Sequence, residues 1–91
     1  MIAEPAGEGS FQLSTHGEHV VNERGIQLEW IALALSSPDL TEPDQSDPEL
    51  THALRTIAER EGRILRVVYN SGHEPPLIVT AFFDRSMRGK L

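Results

Sequence analysis

The sequence predicts an α+β domain: two N-terminal helices packed on one face of an antiparallel β-sheet. Two segments of helical apolar spacing supply the helices, one around Val20 and Val21, the other running through Ile26, Trp30, Leu33 and Ala34. Two β-branched and aromatic runs, residues 63–69 and 77–83, flank a turn rich in glycine and proline and supply a hairpin. With 91 residues the chain has room for one domain and one modest core.

Each element has its own warrant. Residues 1–9 hold Pro5, Gly7, Gly9 and two glutamates and read as a flexible tail, so the domain is expected over 10–91. Residues 10–14 alternate weakly about Phe11 and Leu13, as a short first strand would. Thr15 then opens a helix, with Glu18 three residues later in the spacing of a capping box. Gly25 ends it, since glycine adopts the left-handed conformation freely. In the second helix Trp30 is the largest expected contribution to the core, and Ser36-Ser37-Pro38 stops the element.

Residues 38–49 carry five acids, three prolines and no base. A calcium loop needs a glycine at its tight turn, and none is there, so a solvated linker is expected. Residues 50–58 are ambiguous: Leu50, Ala53, Leu54, Ile57 and Ala58 fit a helix face well and periodicity alone favours helix, although the same stretch also alternates acceptably as a strand. Residues 84–91 form a basic tail.

Composition excludes several classes. Hydrophobic residues make up 38% and charged residues 24%, as in an ordinary folded protein. The absence of cysteine rules out a disulfide scaffold, a thiolate zinc site and a thiol nucleophile. The longest strongly apolar stretch, 30–35, is far short of the roughly 18–20 residues that span a bilayer. The first residues lack the basic and apolar regions of a signal peptide, so a cytoplasmic location is expected, with no membrane association. Net charge is −6, which argues against general nucleic-acid binding. The charge is unevenly spread, however. Residues 1–49 have ten acids and one base, whereas 50–91 have four acids and seven bases. Such asymmetry is an electrostatic footprint on part of the surface.

An ordered set of short motifs runs through the chain: Ser14-x-His16, Glu23-Arg24-Gly25-Ile26, Ser37-Pro38, Leu65-Arg66-Val67-Val68-Tyr69-Asn70 and Val79-Thr80-Ala81-Phe82-Phe83-Asp84-Arg85. Together they resemble a small bacterial domain-of-unknown-function family grouped with the RelE, ParE and BrnT toxins, over roughly residues 12–91. The resemblance implies a RelE-like fold, with N-terminal helices against a curved antiparallel sheet, and it tips residues 50–58 toward strand. It further implies a metal-independent endoribonuclease of a toxin–antitoxin pair, with RNA and an antitoxin protein as partners. Two features depart from that pattern. Val20 stands where many relatives carry a basic residue four positions after the histidine, and the chain is acidic where RelE-like toxins are usually basic. A non-catalytic protein-interaction module that keeps the fold is the alternative.

RNA cleavage without a metal needs a base for the ribose 2′-hydroxyl, positive charge at the phosphate and an acid for the leaving oxygen. His16 is the candidate acid or base, or else a residue that fixes the strand-to-helix junction by hydrogen bonding. Arg66 is a mid-strand arginine among apolar neighbours, so it either contacts phosphate or pairs with an acid, Asp84 on the hairpin partner being one candidate mate. Arg85 completes the catalytic candidates. Arg24, Arg63, Tyr69, Thr80, Arg88 and Lys90 are the RNA-binding candidates, with structural alternatives for five of them: a helix-end carbonyl for Arg24, ordinary strand packing for Tyr69 and Thr80, and a solubilising terminus for Arg88 and Lys90. No cofactor and no metal is expected, although His16, His19, His52 and His73 are available as ligands. The nuclease reading requires His16 and Arg66 to open onto one shared, water-accessible hollow.

Overall fold

A computed structural model describes residues 11–91, so the tail expected at 1–9 lies outside the described residues. The chain enters through β1 (Gln12–Leu13). Ser14 follows in extended conformation, and its Oγ accepts from Gly17 N at 2.9 Å. The N-cap of α1 (Thr15–Arg24) is therefore Ser14, one residue before the Thr15 expected from the capping-box spacing. Glu18 N is satisfied by the Ser14 carbonyl at 2.8 Å rather than by a threonine hydroxyl. Gly25, at φ 64°, closes the helix in the left-handed region as expected.

Gly17 decides how closely α1 lies on the sheet. A Cβ there would sit 2.5 Å from the Ile78 carbonyl oxygen, so no larger residue fits without a backbone shift. α2 (Leu28–Ser36) turns Trp30, Ile31 and Ala34 inward and stops at Ser37, whose N–H bonds the Leu33 carbonyl before Pro38.

Four further strands follow: β2 (Leu40–Pro43), β3 (Leu50–Ile57), β4 (Arg63–Asn70) and β5 (Leu77–Phe83). Short 3-10 turns at Ala58–Arg60 and Arg85–Met87 complete the elements. The sheet order is β1-β5-β4-β3-β2. All pairings are antiparallel except β1 with β5, which is parallel, so the sheet is mixed rather than purely antiparallel. A strand that feeds a helix instead of a hairpin has no need to reverse on its neighbour, and this one lies along β5.

β2 falls within the stretch expected to be a linker. Asp39 N and Asp44 N donate to the Leu54 and Leu50 carbonyls at 2.8 and 3.1 Å and tie its two ends to β3. Pro43 is tolerated because β2 is the sheet edge. Residues 50–57 form a strand, as the resemblance implies, and not a helix. Ala53 and Ile57 belong to the core shared with the helices, while Leu54 is buried on the other face. Burial on both faces is what removes the polar–apolar alternation.

The core joins Val21, Ile26, Trp30, Ile31 and Ala34 of the helical layer to Ala53, Ile57, Leu65, Val67, Ile78 and Ala81 of the sheet. Ile31, Ile57, Leu65 and Ile78 are fully buried, each a gain of about 1.5–3 kcal/mol. After β5 the chain folds back: Asp84 N donates to the Ile64 carbonyl at 2.8 Å, and Leu91 shares a cavity with Asp39, Arg55, Thr56 and Ala58. Among the described residues no helix is long and apolar enough to cross a membrane.

Candidate functional site: an arginine–aromatic cleft

Strand alternation places Arg66 opposite the core. Leu65 and Val67 point to the helices, so Arg66 leaves β4 on the other face, between Leu54 of β3 and Phe82 of β5. Its side chain is only 12% exposed, and its Nε and Nη1 are engaged within the fold. Nε donates to Asp84 Oδ2 at 2.7 Å, Nη1 donates to His52 Nδ1 at 2.7 Å, and Glu42 Oε1 lies 3.6 Å from Nη1. An arginine N–H can only donate, so His52 Nδ1 accepts and the ring proton sits on Nε2. From there it donates to Asp44 Oδ1 at 2.7 Å.

Two carboxylates of this network, Asp84 and Asp44, are held in their charged form. Asp84 lies below the usual range chiefly because the Ser86 hydroxyl donates to it at 2.6 Å, with Arg66 adding to the effect and burial opposing it. Asp44 is lowered to about 2, first by the His52 hydrogen bond and then by the N–H groups of Ser46 and Asp47.

Of the two alternatives for Arg66, the structure thus shows the acid pairing. It does not form the hollow expected to unite Arg66 with His16. His16 is exposed in the first turn of α1, whose Val21 packs in the core, whereas Arg66 projects from the sheet face away from that core. The histidines are also dispersed. His19 pairs with Glu23 at 3.4 Å, His52 lies in the network, and His73 Nδ1 is 2.8 Å from the Pro75 carbonyl. Among the described residues no group of three or more His, Cys, Asp or Glu is placed to hold a metal.

Other arginines do converge. At the end of the β4–β5 hairpin, Arg63, Arg85 and Arg88 line a cavity of about 360 Å³ together with Glu61, Ile64, Phe83 and Asp84. An adjoining cavity of about 510 Å³ is lined by Arg24, Arg60, Arg63, Arg85, Phe82 and Phe83. The two share Arg63, Phe83 and Arg85, so they form one cleft. Phe82 and Phe83 are its aromatic lining, and Phe83 is backed by the buried Trp30, with centroids 6.0 Å apart and planes at 71°. The Arg60 guanidinium lies 5.4 Å from the Trp30 centroid and 5.2 Å from that of Phe83, and Arg63 lies 5.1 Å from Phe83. Arg24 Nη1 donates to the Ala81 carbonyl at 2.8 Å, so it caps a carbonyl of β5 rather than of its own helix end.

The cleft gathers Arg24, Arg63, Arg85 and Arg88 from the sequence candidates; Tyr69, Thr80 and Lys90 are not among its lining residues. Tyr69 instead packs against the core. The sequence reading missed Arg60, and its signal was available: Arg60 and Arg63 bracket the tight turn at Glu61-Gly62, both at positive φ. His52 was missed as the Arg66 partner because its strand was ambiguous.

No curated protein and no solved structure matches the chain. A family model does, that of a domain of unknown function, DUF4258, over residues 13–83. With its helix–sheet core lying inside that span, the chain belongs to the DUF4258 family.

Proposed function

We propose that this chain is a non-catalytic interaction module of RelE-like architecture that engages an anionic partner through the arginine–aromatic cleft. The pairing of Arg66 with Asp84 and His52 carries this reading. The guanidinium a nuclease would aim at a phosphate is committed within the fold, and His16 stands apart from it. Among the described residues no carboxylate lies within ion-pair distance of Arg24, Arg60, Arg63 or Arg85 in the cleft, which is chemistry for holding an anion rather than for moving a proton. Phe83, the ring on which an RNA base would stack, is already engaged by two guanidiniums, and the net charge of −6 repels a long polyanion. An acidic segment of a protein partner, such as an antitoxin, fits these terms better than RNA.

One observation favours the second reading, a metal-independent endoribonuclease: the candidate catalytic Arg85 lies in the cleft beside Arg63 and Arg88. A paired experiment separates the two. Single-stranded RNA is incubated with wild type, His16→Ala and Arg85→Ala, and an immobilised hexaglutamate peptide is offered to the same proteins. The expected result is intact RNA in every lane and salt-sensitive peptide capture that falls in Arg85→Ala. RNA cleavage by wild type that is lost in either variant overturns the module reading in favour of the nuclease.

A further inference from the structure

We infer that the half of the cleft lined by Arg24, Arg60, Arg63 and Arg85 is a binding site for a dianionic phosphoryl group, as borne by a small phosphate monoester. The inference rests on the anion-binding reading above and names the group bound.

The electrostatics come first. Four guanidiniums and two phenylalanines line this half, and no acidic side chain among the described residues does. Among the described residues none of the four lies within ion-pair distance of a carboxylate; the acids that pair with arginine are taken by Arg55 and Arg66. Asp84, in the adjoining half, is committed to Arg66 and Ser86. Such a concentration of like charge is unfavourable until a counter-charge enters. One carboxylate brings a single negative charge and two coplanar oxygens. A phosphoryl dianion brings two charges and three oxygens arranged in a pyramid. The donors here come from separate elements: the end of α1, the 3-10 turn after β3, the start of β4 and the turn after β5. A phosphoryl dianion offers donors arriving from separate elements one more oxygen and one more charge than a carboxylate does.

Arg60 gives the second, independent observation. Its Nε is buried and has no hydrogen-bond partner. Burial of an unpaired donor is costly, so such a group needs an explanation. Cation–π contact with Trp30 and Phe83, at 5.4 and 5.2 Å, holds the guanidinium without giving its N–H groups a conventional acceptor. Arg60 is therefore held in place by ring contacts, and its terminal Nη groups rather than the buried Nε are the donors left for a ligand. Arg85 is exposed and can close from the rim, while Arg24 is held there by its Nη1 bond to the Ala81 carbonyl.

Trp30 is the only tryptophan and lies in contact with Arg60, so its fluorescence reports on the site. The full chain is titrated at constant ionic strength with inorganic phosphate, methyl phosphate, acetate, chloride and hexaglutamate, followed by fluorescence and by calorimetry in parallel. The expected result is 1:1 saturation by phosphate and methyl phosphate at concentrations at least about tenfold below acetate. Arg60→Gln and Arg85→Gln should each weaken it by about tenfold or more, the loss of one charge-assisted hydrogen bond. Lys90→Gln, which does not line the cleft, should titrate as wild type. Arg85 is exposed, so Arg85→Gln carries the test even if Arg60→Gln fails to fold. Acetate matching phosphate, or variants that titrate as wild type, overturns the inference. If hexaglutamate binds and phosphate does not, the phosphoryl site falls and the anion-binding module stands; if no anion binds by either method, both fall.

Discussion

Arg66 of β4 and Asp84, the first residue after β5, are locked together: Nε donates to Oδ2 at 2.7 Å, and both side chains are 12% exposed. The other oxygen of Asp84 accepts from the N–H and hydroxyl of Ser86 at 2.9 and 2.6 Å. One carboxylate therefore caps the last 3-10 turn and anchors the guanidinium on the outer face of the sheet. The same arginine reaches His52 and, through it, the Asp44 loop beyond β2. The C-terminal segment and the acidic loop are thus tied to one side chain in the middle of β4.

Removing that side chain should destabilise the fold more than it affects any ligand. Arg66→Ala leaves Asp84 and His52 with unmatched hydrogen-bonding atoms in a mostly buried setting. The expected cost is about 2–4 kcal/mol, below the full range for breaking a buried pair because some solvent reaches the site. Urea unfolding of wild type, Arg66→Ala, Asp84→Ala and the double variant measures it. A coupling near zero in that cycle would show that the pair contributes nothing.

The acid limb of stability should follow the network carboxylates. Asp44 and Asp84 both have folded values below the ordinary carboxylate value of about 3.9. A group lowered by folding stabilises fully above its unfolded value, and that contribution disappears as pH falls through the folded one. For Asp44 the window runs from about pH 4 down to about 2. The urea midpoint of wild type should drop across this range, and Asp44→Asn, which cannot titrate, should show a shallower drop. Parallel curves for the two proteins would remove Asp44 from the account.

The hairpin of β4 and β5 was legible because 63–69 and 77–83 are dense in β-branched and aromatic residues, a pattern few other conformations satisfy. α2 was legible for a similar reason, with Trp30, Leu33 and Ala34 at helical spacing. β2 was not. Its four residues, Leu40 to Pro43, include an acid and a proline and owe their extended state to pairing with β3. Local sequence carries no trace of such a tertiary pairing. The arginine cleft was half legible: charge asymmetry flagged the second half of the chain, yet only the fold reveals that Arg24, from the first helix, meets Arg60, Arg63 and Arg85. The Arg66–Asp84 pair was one of two alternatives, and hairpin register decided it, since Arg66 sits opposite Phe82, two residues before Asp84.

Gly17 should be intolerant of even a methyl group. The added Cβ would meet the Ile78 carbonyl oxygen at 2.5 Å and Ser14 Oγ at 3.1 Å. The first is backbone in a paired strand and cannot swing aside, so α1 must lift from β5. Helix propensity favours alanine by up to about 1 kcal/mol, whereas overpacking costs about 1–3 kcal/mol, so Gly17→Ala should be net destabilising. A rise in thermal midpoint for this variant would mean that α1 shifts at little cost.

The helix cap gives the sharpest contrast between spacing and geometry. A capping box read from Thr15 and Glu18 assigns the stabilising hydroxyl to Thr15. The structure assigns it to Ser14, whose Oγ accepts from Gly17 N at 2.9 Å and lies 3.5 Å from the Val79 carbonyl. Thr15 is exposed and already inside the helix. Ser14→Ala should therefore cost about 1 kcal/mol, the usual loss for an N-cap, while Thr15→Ala should be neutral or slightly stabilising because alanine is the better helix former. Thermal or urea unfolding of the two variants side by side measures both. A larger loss from Thr15→Ala than from Ser14→Ala would return the cap to position 15 and move the start of α1 by one residue.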